Sequence, residues 1–103
     1  MNRKELTDEQ LLKAVEAAAV IAIGRRIEAK GRGALVSNQE ALGLVTEEVS
    51  RLVEAVKQND PIDVANALSD ISAVCIFAVS SMMVKDEELA EEQLELTKPE
   101  LVS

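Results

Sequence analysis

Hydrophobic residues recur every three or four positions along most of the chain, a spacing that predicts amphipathic helices. Two such segments, between residues 41 and 83, flank the polar break at residues 57–60 and predict an antiparallel helix hairpin. Each apolar stripe contains one acidic residue, Glu48 in the first and Asp70 in the second. Since a buried carboxylate is costly unless it is paired or binds a metal, both acids need a partner.

The two acids are related by the predicted hairpin. If the chain reverses near Asn59, Glu48 faces Asp70 and Arg51 faces Ala67 across the two helices. Glu48 and Arg51 are one turn apart on the first helix, and Ala67 and Asp70 are one turn apart on the second. These four positions form the candidate site.

Two runs at this site, residues 44–55 (LVTEEVSRLVEA) and 66–71 (NALSDI), resemble the MazG-like all-α nucleoside triphosphate pyrophosphohydrolases. That family shows Glu-Glu-x-x-Glu-Leu, a short spacer, and then Glu-Glu-Leu-x-Asp-Val. The resemblance implies that carboxylates from two helices hold magnesium, while water cleaves a nucleoside triphosphate to a monophosphate and pyrophosphate.

The resemblance also implies roles for particular residues. Glu48 and Asp70 would be the catalytic and magnesium-binding acids, and Glu47 or Asp63 would assist. Lys57 or Lys85 would contact the phosphates, and Arg51 would do so if the chain binds a nucleotide without hydrolysing it.

The sequence departs from the family pattern at two of four ligand positions. Arg51 stands where the second Glu belongs and Ala67 where the third belongs, so the formal charge of the four positions changes from minus four to minus one. One hypothesis keeps the magnesium-dependent hydrolase, with Glu48 and Asp70 as anchors. The alternative is a non-catalytic oligomeric interaction or nucleotide-binding protein, in which Arg51 bridges the two acids instead of a metal. A third possibility is that the resemblance is accidental.

Capping residues predict the helix boundaries. Thr7 and Ser37 begin capping-box patterns, Asp60-Pro61 predicts a helix start, and Gly31-Arg32-Gly33 predicts a turn. Together with a break at Lys85-Asp86, they predict helices at about 8–30, 38–57, 61–84 and 87–96. The expected fold is therefore one all-α domain over residues 1–103, an antiparallel bundle of about four helices built on the central hairpin.

Composition narrows the range of functions. The net charge of −8 argues against binding to nucleic acid or to an anionic membrane. The chain has no histidine, so a metal site would have to use carboxylates. The single cysteine, Cys75, is expected to be an inert core thiol in a reducing cytoplasm.

The run from Ile71 to Val84 is apolar on nearly every side. It is shorter than the roughly 20 residues that a membrane span needs, which predicts a buried helix. One partner helix cannot cover so much apolar surface, so a homodimer or homotetramer is expected.

Overall fold

The computed structural model describes the backbone of residues 3–101 and the side chains of residues 3–88 and of Glu91. Within these residues the protein contains helices and no strands, which confirms the all-α class. We name the helices α1 (residues 8–30), α2 (Asn38–Lys57) and α3 (Pro61–Leu101). Helix α1 is α-helical over Asp8–Ala14 and Ile21–Lys30, with a π-helical stretch between them at Val15–Val20.

The helices begin and end where the capping residues predict. Thr7 and Gln10 form a reciprocal capping box at the start of α1. Ser37 Oγ accepts from the Glu40 N–H at 3.1 Å at the start of α2. Gly31, which ends α1, has a φ of 79°, a value that glycine adopts without steric cost.

A tight turn joins α2 to α3 and reverses the chain. Asn59 has a φ of 54°, in the left-handed region that asparagine tolerates better than most residues. Asp60 Oδ1 then accepts from the Asp63 N–H at 3.1 Å, and Pro61 occupies the first helical position. These interactions form the predicted hairpin.

The connection between α1 and α2 is tied to α3. Ser81 Oγ accepts from the Leu35 N–H at 2.8 Å and donates to the Phe77 carbonyl at 2.6 Å. These hydrogen bonds fix the connection between α1 and α2 to α3. Helix α1 itself also packs against α3.

The predicted break at Lys85-Asp86 is wrong. Helix α3 continues through it to Leu101, so the helices expected at 61–84 and 87–96 are one element. The reason is local: residues 85 and 86 include neither glycine nor proline, and an aspartate alone does not end a helix. The described residues form three helices, so the expected bundle of about four helices is not confirmed.

The buried core of the described chain is small. It consists of Ala22 from α1, Ala55 from α2, and Ala67, Ala73 and Val74 from α3. Because most of these residues are alanines, the helices approach closely at these points. Most of the larger apolar side chains are exposed on the single chain, including Val79, Met82 and Met83 of the run that was expected to be buried. The expectation of burial is wrong for one chain, since only α1 and α2 cover α3.

Cys75 is exposed, which contradicts its prediction as a core thiol. It lies about 100° around α3 from Val74, which is buried.

By length and composition alone, the segment Pro61–Glu88 of α3 would suffice to cross a membrane, with a mean hydropathy of 1.8 over its most apolar window. That helical segment is longer than the run from Ile71 to Val84, so the argument that the apolar run is too short to span does not hold.

Candidate functional site

The guanidinium of Arg51 lies at the centre of a cluster of acidic side chains. Its Nη1 donates to Asp70 Oδ2 at 2.7 Å and to Glu48 Oε2 at 3.4 Å. Its Nη2 donates to Asp63 Oδ1 at 3.2 Å. The structure thus brings Glu48 and Asp70 to the same nitrogen atom, and the contacts match the Glu48–Arg51–Asp70 network expected from the sequence.

Helical spacing explains why these side chains converge. Glu48 and Arg51 are three residues apart on α2, and Asp63 and Asp70 are seven residues apart on α3, so each pair shares one face. The turn at residues 58–60 places the two faces together. Asp63 is part of this cluster, as the sequence allowed, and its backbone N–H is also held by the Asp60 cap.

Arg25 of α1 is a fifth member of the network, which sequence analysis missed. Its Nη2 donates to Asp70 Oδ1 at 3.1 Å, so both carboxylate oxygens of Asp70 accept from a guanidinium. The signal was present in the sequence, since Arg25 lies one turn beyond the buried Ala22. Placing it beside Asp70 required knowing how α1 crosses the hairpin. We call Arg25, Glu48, Arg51, Asp63 and Asp70 the ion network.

The ion network is partly shielded from water. The side chains of Glu48 and Asp70 are 26% and 27% exposed, and that of Arg51 is 40% exposed. Hydrogen bonds to Asp70 and then to Asp63 raise the pKa of Arg51 above its usual value. Arg51 therefore remains charged, and with three acids and two guanidiniums the network has a formal charge of minus one.

Three of the residues predicted to assist lie away from the ion network. Glu47 points to the exposed side of α2, about 100° around the helix from Glu48. Lys57 Nζ lies 3.8 Å from Glu54 Oε1 at the exposed end of α2. Lys85 lines a separate small cavity near the start of α2, beyond Ser81 on α3. No contact described for these three side chains reaches the network.

Ala67 is fully buried, with an exposed fraction of 0%. It lies one turn from both Asp63 and Asp70 on α3. Instead of the acid that the family pattern has at this position, the chain has alanine, the smallest chiral residue, and the packed surroundings leave its side chain no contact with water.

A cavity of about 280 Å³ lies beside the ion network, between α1 and the hairpin. Glu48 and Asp70 line it together with three cations of α1, which are Arg25, Arg26 and Lys30. Arg26 also stacks on Phe77, with its guanidinium carbon 4.8 Å from the ring centroid, and its buried Nε has no hydrogen-bond partner. The wall formed by α1 is thus basic although the chain as a whole is acidic.

The arrangement does not fit a magnesium ion as it stands. Magnesium requires close, nearly octahedral oxygen ligands, usually one or two carboxylates with phosphates and waters. Here the inward-facing oxygens of Glu48, Asp63 and Asp70 all accept hydrogen bonds from Arg51. No group of three acidic or cysteine side chains within the described residues has the geometry of a metal site.

Comparison with known proteins gives no matching family model, no matching curated protein and no matching solved structure. The resemblance to the MazG-like family therefore rests on the two sequence runs of the hairpin and on their spacing.

Proposed function

We propose that this chain is a non-catalytic relative of the MazG-like pyrophosphohydrolases, a helical interaction protein in which a guanidinium replaces the metal ion. The observation that carries the proposal is the position of Arg51, whose two terminal nitrogens contact Glu48, Asp63 and Asp70 at 2.7 to 3.4 Å. The acids that would bind magnesium in an active relative here accept hydrogen bonds that join α2 to α3.

This replacement changes the chemistry available to the site. A metal in such a site would clamp phosphate oxygens and activate water. A guanidinium provides charge and directed hydrogen bonds but does not generate a hydroxide nucleophile, since it remains protonated. The site accordingly stabilises the hairpin and does not cleave a phosphoanhydride.

We expect no pyrophosphate release from a panel of nucleoside triphosphates with magnesium or manganese, and no rise in melting temperature as magnesium is added. An Arg51→Gln variant frees Glu48, Asp63 and the Oδ2 atom of Asp70, while Arg25 still binds Asp70 Oδ1. It should acquire a magnesium-dependent rise in melting temperature, because binding only to the folded state stabilises it. Lys57→Gln, which removes a cation outside the ion network, is the matched control and should remain insensitive to magnesium. Pyrophosphate release by the unmodified protein that Asp70→Asn abolishes would show instead that it is a hydrolase.

Nucleotide binding without hydrolysis is the second candidate, and the basic wall of the 280 Å³ cavity favours it. Arg25, Arg26 and Lys30 could hold phosphate oxygens through charge-assisted hydrogen bonds. The same triphosphate panel, titrated without divalent metal, tests this function. Binding that Lys30→Gln weakens and Lys13→Gln leaves unchanged would support it.

A further inference from the structure

Helix α3 has an outer face that is apolar, uncharged and uncovered. At alternating steps of three and four residues, the outer stripe consists of Ala65, Leu68, Ser72, Cys75, Val79 and Met82. All of these side chains are exposed except Ser72, which is half-exposed. Steps of three and four are the spacing of helices that pack along a seam.

The distribution of charge sets this face apart from an ordinary solvated surface. Asp70 is the only charged residue between positions 64 and 84, and it points to the opposite side of α3, where Arg51 and Arg25 bind it. The one hydroxyl on the stripe is also satisfied, since Ser72 Oγ donates to the Leu68 carbonyl at 3.1 Å. Covering the outer stripe would therefore bury no charge and no unpaired hydroxyl, and the Cys75 thiol is only a weak donor.

Large apolar side chains on and beside the outer stripe are exposed on the single chain. Leu68, Ile76, Val79, Met82 and Met83 are 40 to 59% exposed. Burying apolar side chains of this kind against a second helix is the main source of free energy for association.

We infer that the outer stripe of α3 packs against the same stripe of a second copy of this chain, in antiparallel orientation. Residues whose numbers sum to 147 then face each other, so the stripe pairs with itself throughout: Ala65 with Met82, Leu68 with Val79, and Ser72 with Cys75. In the outermost pair the smallest side chain faces the largest, which suits close packing. Because each copy uses the same surface, the contact is two-fold symmetric, and it forms a dimer without extending to further copies.

Charge selects the antiparallel orientation over the parallel one. The acidic residues that follow the stripe begin with Asp86, Glu87 and Glu88. In a parallel pair these would lie beside their own copies and repel one another, whereas in the antiparallel pair they lie at opposite ends.

The chemistry of the helix favours a protein copy over a membrane as the occupant. Asp63 and Asp70 lie on the same segment of α3 and hold Arg51 and Arg25, so inserting the segment in lipid would bring the ion network with it. A net charge of −8 also opposes attraction to anionic lipid surfaces.

The first test is the molar mass of the full chain in solution, measured by light scattering and sedimentation over a range of concentrations. We expect a dimer or a multiple of one. Val79→Glu places a charge in the seam and should raise the dissociation constant at least about a hundredfold. Val36→Glu, at a residue that is 73% exposed in the connection between α1 and α2, should leave it unchanged. A monomer at all concentrations, or a chain that associates with neutral phosphatidylcholine vesicles and is monomeric without them, would overturn the inference.

Disulfide formation gives a second test that does not depend on a disruptive variant. In the antiparallel pair, Ser72→Cys faces Cys75 of the partner copy and should form a covalent dimer under mild oxidation. Ser80→Cys, which is exposed on another side of α3, should cross-link much more slowly. Equal rates, or rapid cross-linking of the unmodified protein through Cys75 alone, would overturn the antiparallel pairing. Both tests concern the side of α3 opposite Arg51, so their outcome is independent of the proposed function.

Discussion

Replacing Arg51 with alanine is expected to lower the free energy of unfolding by about 2 kcal/mol. The substitution leaves Glu48, Asp63 and Asp70 facing one another without the guanidinium that joins them. The effect is smaller than for a fully buried ion pair, because Arg51 and Asp63 are about 40% exposed and water screens part of the interaction. Urea denaturation followed by far-ultraviolet circular dichroism, at one fixed protein concentration, measures the change.

Two further variants control this measurement. Arg51→Lys keeps the positive charge but lacks the planar guanidinium that reaches three carboxylates. Its free energy of unfolding should therefore lie between those of the parent and Arg51→Ala. Lys57→Ala removes a solvated cation outside the ion network and should change the free energy of unfolding by less than about 0.5 kcal/mol. Unfolding of Arg51→Ala at the same urea concentration as the parent would mean that the network does not hold the hairpin together.

Replacing Ala67 with glutamate, the residue that the family pattern has at this position, is expected to destabilise the fold by about 3 kcal/mol or more. Ala67 is fully buried at closely packed helices, so the longer side chain must push α3 away and lose its hydration. The melting temperature and the urea midpoint should both fall.

Ala14→Glu provides the control for Ala67→Glu, since it makes the same change at an exposed position of α1. It should leave the urea midpoint nearly unchanged. If Ala67→Glu is as stable as the parent, the helices open enough to admit an acid, and the close packing at Ala67 does not oppose a metal site.

The two substitutions together explain why restoring the family's acids is not a simple reversal. At Arg51 the change removes a hydrogen-bonding centre, and at Ala67 it requires more space between the helices. The hairpin is adapted to its present residues at both positions, which supports our proposal that the chain is not a hydrolase.

The hairpin and the centre of the ion network could be predicted because both depend on local spacing. Helical periodicity places Glu48 and Arg51 on one face, and the Asp60-Pro61 start fixes where the second helix begins. Reversal of the chain at Asn59 then brings Asp70 opposite Glu48. Each of these steps involves residues close together in sequence.

The remaining features depend on packing between distant segments or on small energy differences. The contact of Arg25 with Asp70 spans 45 positions and requires the crossing of α1 over the hairpin. Helix α3 continues past Lys85 because polar residues such as Lys85 and Asp86 cost little free energy within a helix. An aspartate that could cap a new helix gives too weak a signal to decide whether the helix breaks there. No residue pattern indicated the π-helical stretch Val15–Val20, and we have no physical account of it.

The proposal that Arg51 takes the place of a metal is tested most directly by a double-mutant cycle between Arg51 and Asp70. Unfolding free energies of the parent, Arg51→Ala, Asp70→Ala and the double variant give the coupling between the two side chains. The 2.7 Å charge-assisted hydrogen bond predicts a favourable coupling of about 1 to 2 kcal/mol, whereas the same cycle between Arg51 and the exposed Glu47 should give a value near zero. A coupling near zero for Arg51 and Asp70 would contradict the proposed role of Arg51.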